Sequence, residues 1–269
     1  MKTKKLFAVT YLIVCMAMNV DAQMETSSPR RFLDEENDAV GATTIARNII
    51  KLNVTALVLK NYAFQYERVL NKTVSVAVSF RTMPTTSIPF QKAILESIGD
   101  DDPDSREVIE KLRLSNFAFT PEVRFYIGRK GYGRGFYFAP FYRYASFKTN
   151  DLIINYDNTA NIQSSLGFSG KLTANTGGLM IGAQWALGKY LSLDWWILGS
   201  HYGAGNGTFT GVPDRPLTPD EQSSLRQELE DLDIPLTDKT VSVTANSASL
   251  KLDGPWAGVR AGLCLGVRF

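Results

Sequence analysis

Cysteine and histidine are nearly missing from this 269-residue chain, which has 2 Cys and 1 His. Cys15 lies in an N-terminal apolar run, so a chain cut after Ala22 keeps only Cys264. No disulfide can then form within the chain, and no zinc or iron–sulfur ligand spacing exists. A lone cysteine on an inward strand face reads as a small packing residue. The single histidine, His201, excludes any site that needs two imidazoles. Long apolar runs are also lacking. After residue 22 no stretch reaches the roughly 18 apolar residues of a transmembrane helix. A basic excess is lacking too. Removing Lys2, Lys4, Lys5 and Asp21 with the first 22 residues takes 29 basic and 27 acidic residues to 26 of each. A neutral chain does not carry the electrostatic footprint of nucleic-acid binding.

What is present begins at the N-terminus. Three lysines precede an apolar run from Leu6 to Val20, and Val20-Asp21-Ala22 offers a small residue for cleavage. Residues 1–22 therefore read as an export signal peptide. The run of about 15 residues is short of the ~20 that span a bilayer. Cys15 does not make a lipoprotein site, because bulky Val14 precedes it. Residues 23–47 read as a polar leader, either docked at the periplasmic rim or simply disordered.

The last stretch, Trp256–Phe269, sets the pattern for the rest. Ala257, Val259, Ala261, Leu263, Leu265, Val267 and Phe269 alternate with Trp256, Gly258, Arg260, Gly262, Cys264, Gly266 and Arg268. Period two puts these sets on opposite faces of a sheet. The same alternation marks seven earlier strands: Asn48–Lys60, Tyr62–Leu70, Thr73–Thr82, Asn116–Gly128, one from Gly135, Thr176–Leu187 and Tyr190–Tyr202. Each approaches the 9–11 residues of a tilted spanning strand. Asn71-Lys72, Arg129–Arg134 and Gly188-Lys189 are short connections on one side. Met83–Ser115, Lys148–Asn175 and Gly203–Gly254 are long ones on the other, and Lys60-Asn61 is the short exception. That asymmetry is expected of periplasmic turns and extracellular loops. Lys148–Asn175 reads as a projecting hairpin. Helices are expected at Asp104–Leu112 and at Thr218–Leu232, where Thr218 and Glu221 have capping-box spacing and Pro219 takes the first helical position.

The expected fold is all-β: an eight-stranded antiparallel up-and-down transmembrane β-barrel over residues 48–269, with short helices in its extracellular loops. A lipocalin-like soluble barrel would use the same alternation with the apolar face inward. The export signal, the bulky aromatic face and the terminal Phe269 favour the membrane orientation.

That orientation turns Glu67, Glu122, Asp194, Arg124, Arg143 and Arg260 inward, with Arg81 and Arg268 nearer the rims. An eight-stranded interior is only wide enough for side chains. Charges there must pair, because an unpaired buried ion costs several kcal/mol. The expectation is an ion-pair plug, weighed against a glycosidase-like carboxylate pair. Ser200 and His201 are the residue types of the Ser/His pair in lipid-modifying barrels, but adjacent strand residues face opposite ways. No catalytic residue, metal or cofactor is expected.

A further set of motifs is Tyr66-Glu67-Arg68, Pro121-Glu122-Val123-Arg124-Phe125-Tyr126, Gly135-Phe136-Tyr137-Phe138-Ala139-Pro140-Phe141, Gly182-Ala183-Gln184, Leu193-Asp194 and the closing strand. In these the chain resembles the DUF3575 proteins of Bacteroidetes, eight-stranded outer-membrane barrels of unknown function. The resemblance spans about Asn48–Phe269, without Arg30–Glu36 and the last long loop, and brings no catalytic residues with it. The ending at Phe269 is similar to the signature strand read by the barrel assembly machinery. Taken together, these features lead us to expect a non-enzymatic protein of the cell outer membrane that acts through its outer loops. Its partners would be outer-membrane lipid, the assembly machinery and an extracellular or envelope partner, with no nucleic acid. The alternatives are a lipid-modifying enzyme and a narrow pore.

Overall fold

A computed structural model describes residues 46–98, 103–157, 163–232, 234 and 236–269. The expected signal peptide, and the expected leader as far as residue 45, lie outside the described residues. The strands are β1 (Asn48–Asn53), β2 (Tyr62–Val69), β3 (Val74–Ser87), β4 (Arg113–Ile127), β5 (Gly135–Asp157), β6 (Gln163–Leu187), β7 (Leu191–Gly211), β8 (Asp238–Thr244) and β9 (Ser247–Arg268). Helices α1 (Val54–Val58), α2 (Gln91–Ile98), α3 (Pro103–Lys111) and α4 (Pro219–Glu230) sit in connections at one end. We call this the far end, and the end with the short turns the near end.

Neighbouring strands pair antiparallel in the order β1 to β7, then β9, and β9 pairs back onto β1. Eight strands thus form a ring. β8 adds to the free side of β9 at the far end, outside the ring.

The alternation falls as the sequence implies along the near half. Phe64, Phe80, Phe136, Ile181, Trp195 and Leu265 face outward and are exposed, while Glu67, Arg124, Tyr137, Gln184 and Asp194 face inward and are buried. Toward the far end the pattern reverses. Lys148, Lys171, Thr208 and Lys251 face outward, and Phe147, Leu172, Phe209 and Leu250 are buried. These inward side chains form one apolar core with Leu225 and Leu229 of α4 and Ile109 of α3. The molecule therefore has a polar-centred half with an apolar exterior and an apolar-centred half with a polar exterior.

The reversal explains several differences from the sequence reading. Lys148–Asp157 prolongs β5 and Gln163–Asn175 belongs to β6, because polar outward residues are normal there. β7 runs to Gly211, and β9 starts at Ser247 rather than Trp256. The first strand is shorter than expected. The Asn53 side chain accepts the Ala56 N–H at 2.9 Å, which caps α1 and ends β1. In β7 the pairing shifts between Trp196 and Gly199, so Ile197 is a bulge residue and Leu198 takes the outward place. The helix expected at Asp104–Leu112 is α3, one residue earlier at each end. α2 had no separate expectation.

α4 starts as its sequence requires. Thr218 Oγ1 accepts the Glu221 N–H, and Glu221 accepts the Thr218 N–H, with Pro219 at the first helical position. Glu221 also accepts two bonds from Arg215, at 2.6 and 3.0 Å. The Arg215 bonds, then the Thr218 N–H, hold the Glu221 carboxyl down from 4.5 to about 2. A carboxyl lowered on folding stabilises above its unfolded value, and the effect is lost as pH falls through the folded value. Amide exchange protection over residues 220–230, corrected for intrinsic rates, should fall between pH 4.5 and 2. The Glu221→Gln variant should already show the lower protection at neutral pH.

Candidate functional site: an ion-pair network inside the ring

The centre of the near half is built on Lys51 of β1, which the sequence reading did not single out. Its Nζ donates to Glu67 Oε2 at 2.5 Å, Gln184 Oε1 at 2.5 Å and Asp194 Oδ2 at 2.6 Å. Arg124 of β4 reaches the same acceptors from the opposite wall. Its Nη1 donates to Asp194 Oδ2 at 2.7 Å, Gln184 Oε1 at 3.1 Å and Glu67 Oε2 at 3.2 Å. Its Nε donates to Glu122 Oε1 at 2.7 Å, and its Nη2 donates to Gln65 Oε1 at 2.9 Å. Arg260 Nη1 donates to the other Glu122 oxygen at 3.4 Å.

Neutral groups take the remaining lone pairs. Glu67 Oε1 accepts from Ser75 Oγ at 2.6 Å and Tyr126 OH at 2.7 Å. Asp194 Oδ1 accepts from Tyr137 OH at 2.8 Å. Trp196 Nε1 donates to Asp194 Oδ2 at 3.1 Å. The side chains of Lys51, Glu67, Glu122, Arg124 and Asp194 have no solvent exposure. Aromatic faces surround the cations: Arg124 stacks on Tyr137 at 4.4 Å, and Arg260 lies over Phe141 and Trp196. Gly182 makes room for Tyr137, since a Cβ there would come within 2.4 Å of the phenol oxygen.

Of the residues expected at this site, Glu67, Glu122, Arg124, Asp194 and Arg260 come together. Arg143 stands one layer toward the far end, donating to Thr120 Oγ1 at 3.3 Å. Lys51 takes the place expected for Arg143, so the network itself remains neutral, with Lys51, Arg124 and Arg260 against Glu67, Glu122 and Asp194. Lys51 shares the period-two face of Asn53, and that was the available signal. Gln65, Gln184, Tyr126 and Tyr137 were equally legible as inward positions, but a neutral side chain announces no partner.

The near end of the interior is closed by the turn between β4 and β5. Tyr132 N–H donates to Lys72 O at 2.9 Å, and Gln184 Nε2 donates to Gly133 O at 2.8 Å. Arg268 Nη2 donates to Tyr132 O at 2.9 Å. Arg81 donates to Asn61 Oδ1 at 2.9 Å toward the far end. Phe269 exchanges two backbone bonds with Asn48, both 3.0 Å, and its side chain is exposed on the outward face. Cys264 is buried inside the ring.

His201 is buried against the Phe141 ring, and neither of its nitrogens has a hydrogen-bond partner. Ser200 is exposed on the opposite face. The two side chains do not meet, so no nucleophile and base are paired there. Among the described residues, no group of three or more His, Cys, Asp or Glu side chains is arranged to hold a metal ion. Chemically, the interior is a network of ions that satisfy one another.

The family model of DUF3575, described as a protein of unknown function, matches residues 38–205. The chain belongs to the DUF3575 family. The DUF3575 match takes in Lys51, Glu67, Glu122, Arg124, Gln184 and Asp194. Arg260 and the whole of β9 lie beyond it, so the match ends earlier than the resemblance in the sequence extends. No curated protein and no solved structure matches this DUF3575 chain.

Proposed function

We propose that the protein is an outer-membrane β-barrel, exported by residues 1–22, whose interior is closed by ion pairs and does no chemistry. It acts at the cell surface or in the envelope through the loops and helices of its far end, by binding a partner. One observation carries the reading: the near half exposes a belt of large apolar side chains around a buried network of ion pairs. In water that belt would be a large unfavourable apolar surface. In a bilayer it is the surface that lipid requires, and strand pairing around the ring satisfies backbone groups that hydrocarbon would leave without partners. No helix among the described residues is long and apolar enough to cross a membrane, so spanning would fall to the strands. Tyr62, Tyr66, Tyr142, Tyr190 and Tyr202 are exposed on the outside, as interfacial tyrosines would be.

Envelope fractionation followed by electrophoresis with and without boiling tests the reading. The protein is expected in the outer-membrane fraction, and the unboiled form is expected to migrate differently from the boiled one. A soluble periplasmic protein with no such shift would overturn it.

A further inference from the structure

We propose that the outward face of β5 and β6, at the far edge of the apolar belt, binds the phosphate groups of outer-leaflet lipid through Lys148 and Lys171. The inference deepens the outer-membrane reading and rests on it. Strand register supplies the geometry. Lys148 pairs directly with Lys171, Lys171 with Thr208, and Thr208 with Lys251, so three lysines lie in one row across the outside of the sheet. All three are exposed. Arg113 faces outward one row farther on, opposite Asn150.

Two cations directly opposite each other in an antiparallel pair are destabilising unless an anion lies between them. The outward neighbours of this pair are Ser115, Ser146, Asn150, Ser169, Thr173 and Thr208. None is acidic. Asp253 flanks Lys251 on β9, which leaves Lys148 and Lys171 as the part of the row whose charge needs an outside anion.

Height decides which anion. The last outward aromatic on β5 is Tyr144, four residues before Lys148. At about 3.3 Å per residue and a tilt near 45°, the lysine row stands roughly 9 Å above that ring. The headgroup layer is about 5–8 Å thick on each side, and a lysine stem reaches back toward it. The row is therefore level with lipid phosphates, on the wall that faces lipid rather than on the loops.

The test uses the full chain folded in zwitterionic micelles, titrated with lipid A, a bisphosphorylated glycolipid. Binding is read as a rise in the thermal unfolding midpoint. Wild type should respond, and the K148T/K171T variant should bind about thirtyfold more weakly, at roughly fivefold per lysine. Without lipid A the variant should unfold no earlier than wild type, since the repulsion between strands is gone. Lys189→Thr, at the opposite end, should keep the full response. Equal affinity of wild type and double variant overturns the proposal. So does loss of response in Lys189→Thr, or inorganic phosphate giving the same rise at equal phosphate concentration. Migration before and after boiling is measured on the same samples. A failed lipid response with that shift intact sinks this inference alone, whereas loss of the shift sinks the barrel.

Discussion

Arg124→Met should lower the urea midpoint of the folded protein more than any other single change inside the ring. Methionine fills much of the arginine volume and supplies none of its donors. Glu67, Glu122 and Asp194 would then share only Lys51 and Arg260, and Glu122 would lose its 2.7 Å partner. Breaking a buried pair from one side costs about 3–5 kcal/mol, because the stranded charge remains in a low-dielectric interior. Arg124→Met with Asp194→Asn removes one charge of each sign and should recover part of the loss. That coupling would show as a non-additive double-mutant cycle of about 0.5–3 kcal/mol. An unchanged midpoint in Arg124→Met would mean that the carboxylates find solvent, and the closed interior would be wrong.

Ile181→Arg should block insertion into liposomes. Ile181 sits midway along the outward belt, 49 % exposed, paired across strands with Phe138 and Leu198. An arginine at the midplane of a transmembrane barrel's lipid face costs about 2–4 kcal/mol. At a water-exposed position the same change is usually within about 0.5 kcal/mol. The two environments thus give opposite expectations, read as the folded fraction after dilution from urea into vesicles. Wild-type yields from Ile181→Arg would argue that water, not lipid, covers this face.

The sequence made the near half legible because one rule governs it: apolar outward, polar or small inward. Strands 3, 4 and 6 carry that alternation through the near half, and strand 2 does so as far as Glu67, so their inward charges could be named from it. Three things broke the rule. Asn53 is a polar residue at a polar position, so the strand looked continuous, yet its amide caps α1 instead. Ile197 adds one residue to β7 without any local signature, and only the partner strands reveal the bulge. Beyond Tyr144 the faces exchange roles, so the projecting hairpin over Lys148–Asn175 was legible from its alternation, whereas its continuity with β5 and β6 was not. Lys51 was missed for a related reason. It lies among residues whose apolar face is the stronger signal, and a lone lysine on a strand is ordinarily solvated. Its role depends on Asp194 and Glu67, which only ring closure brings within reach.

The network draws one side chain from nearly every part of the ring: Lys51 from β1, Glu67 from β2, Arg124 from β4, Gln184 from β6, Asp194 from β7 and Arg260 from β9. An intermediate with only the first four strands would hold Lys51, Glu67, Glu122 and Arg124 without the aspartate that both cations share. One lacking β1 would leave Asp194 a donor short. The full set of pairs is reached only when the first and last strands meet, so assembly has an electrostatic end point that every partial sheet misses.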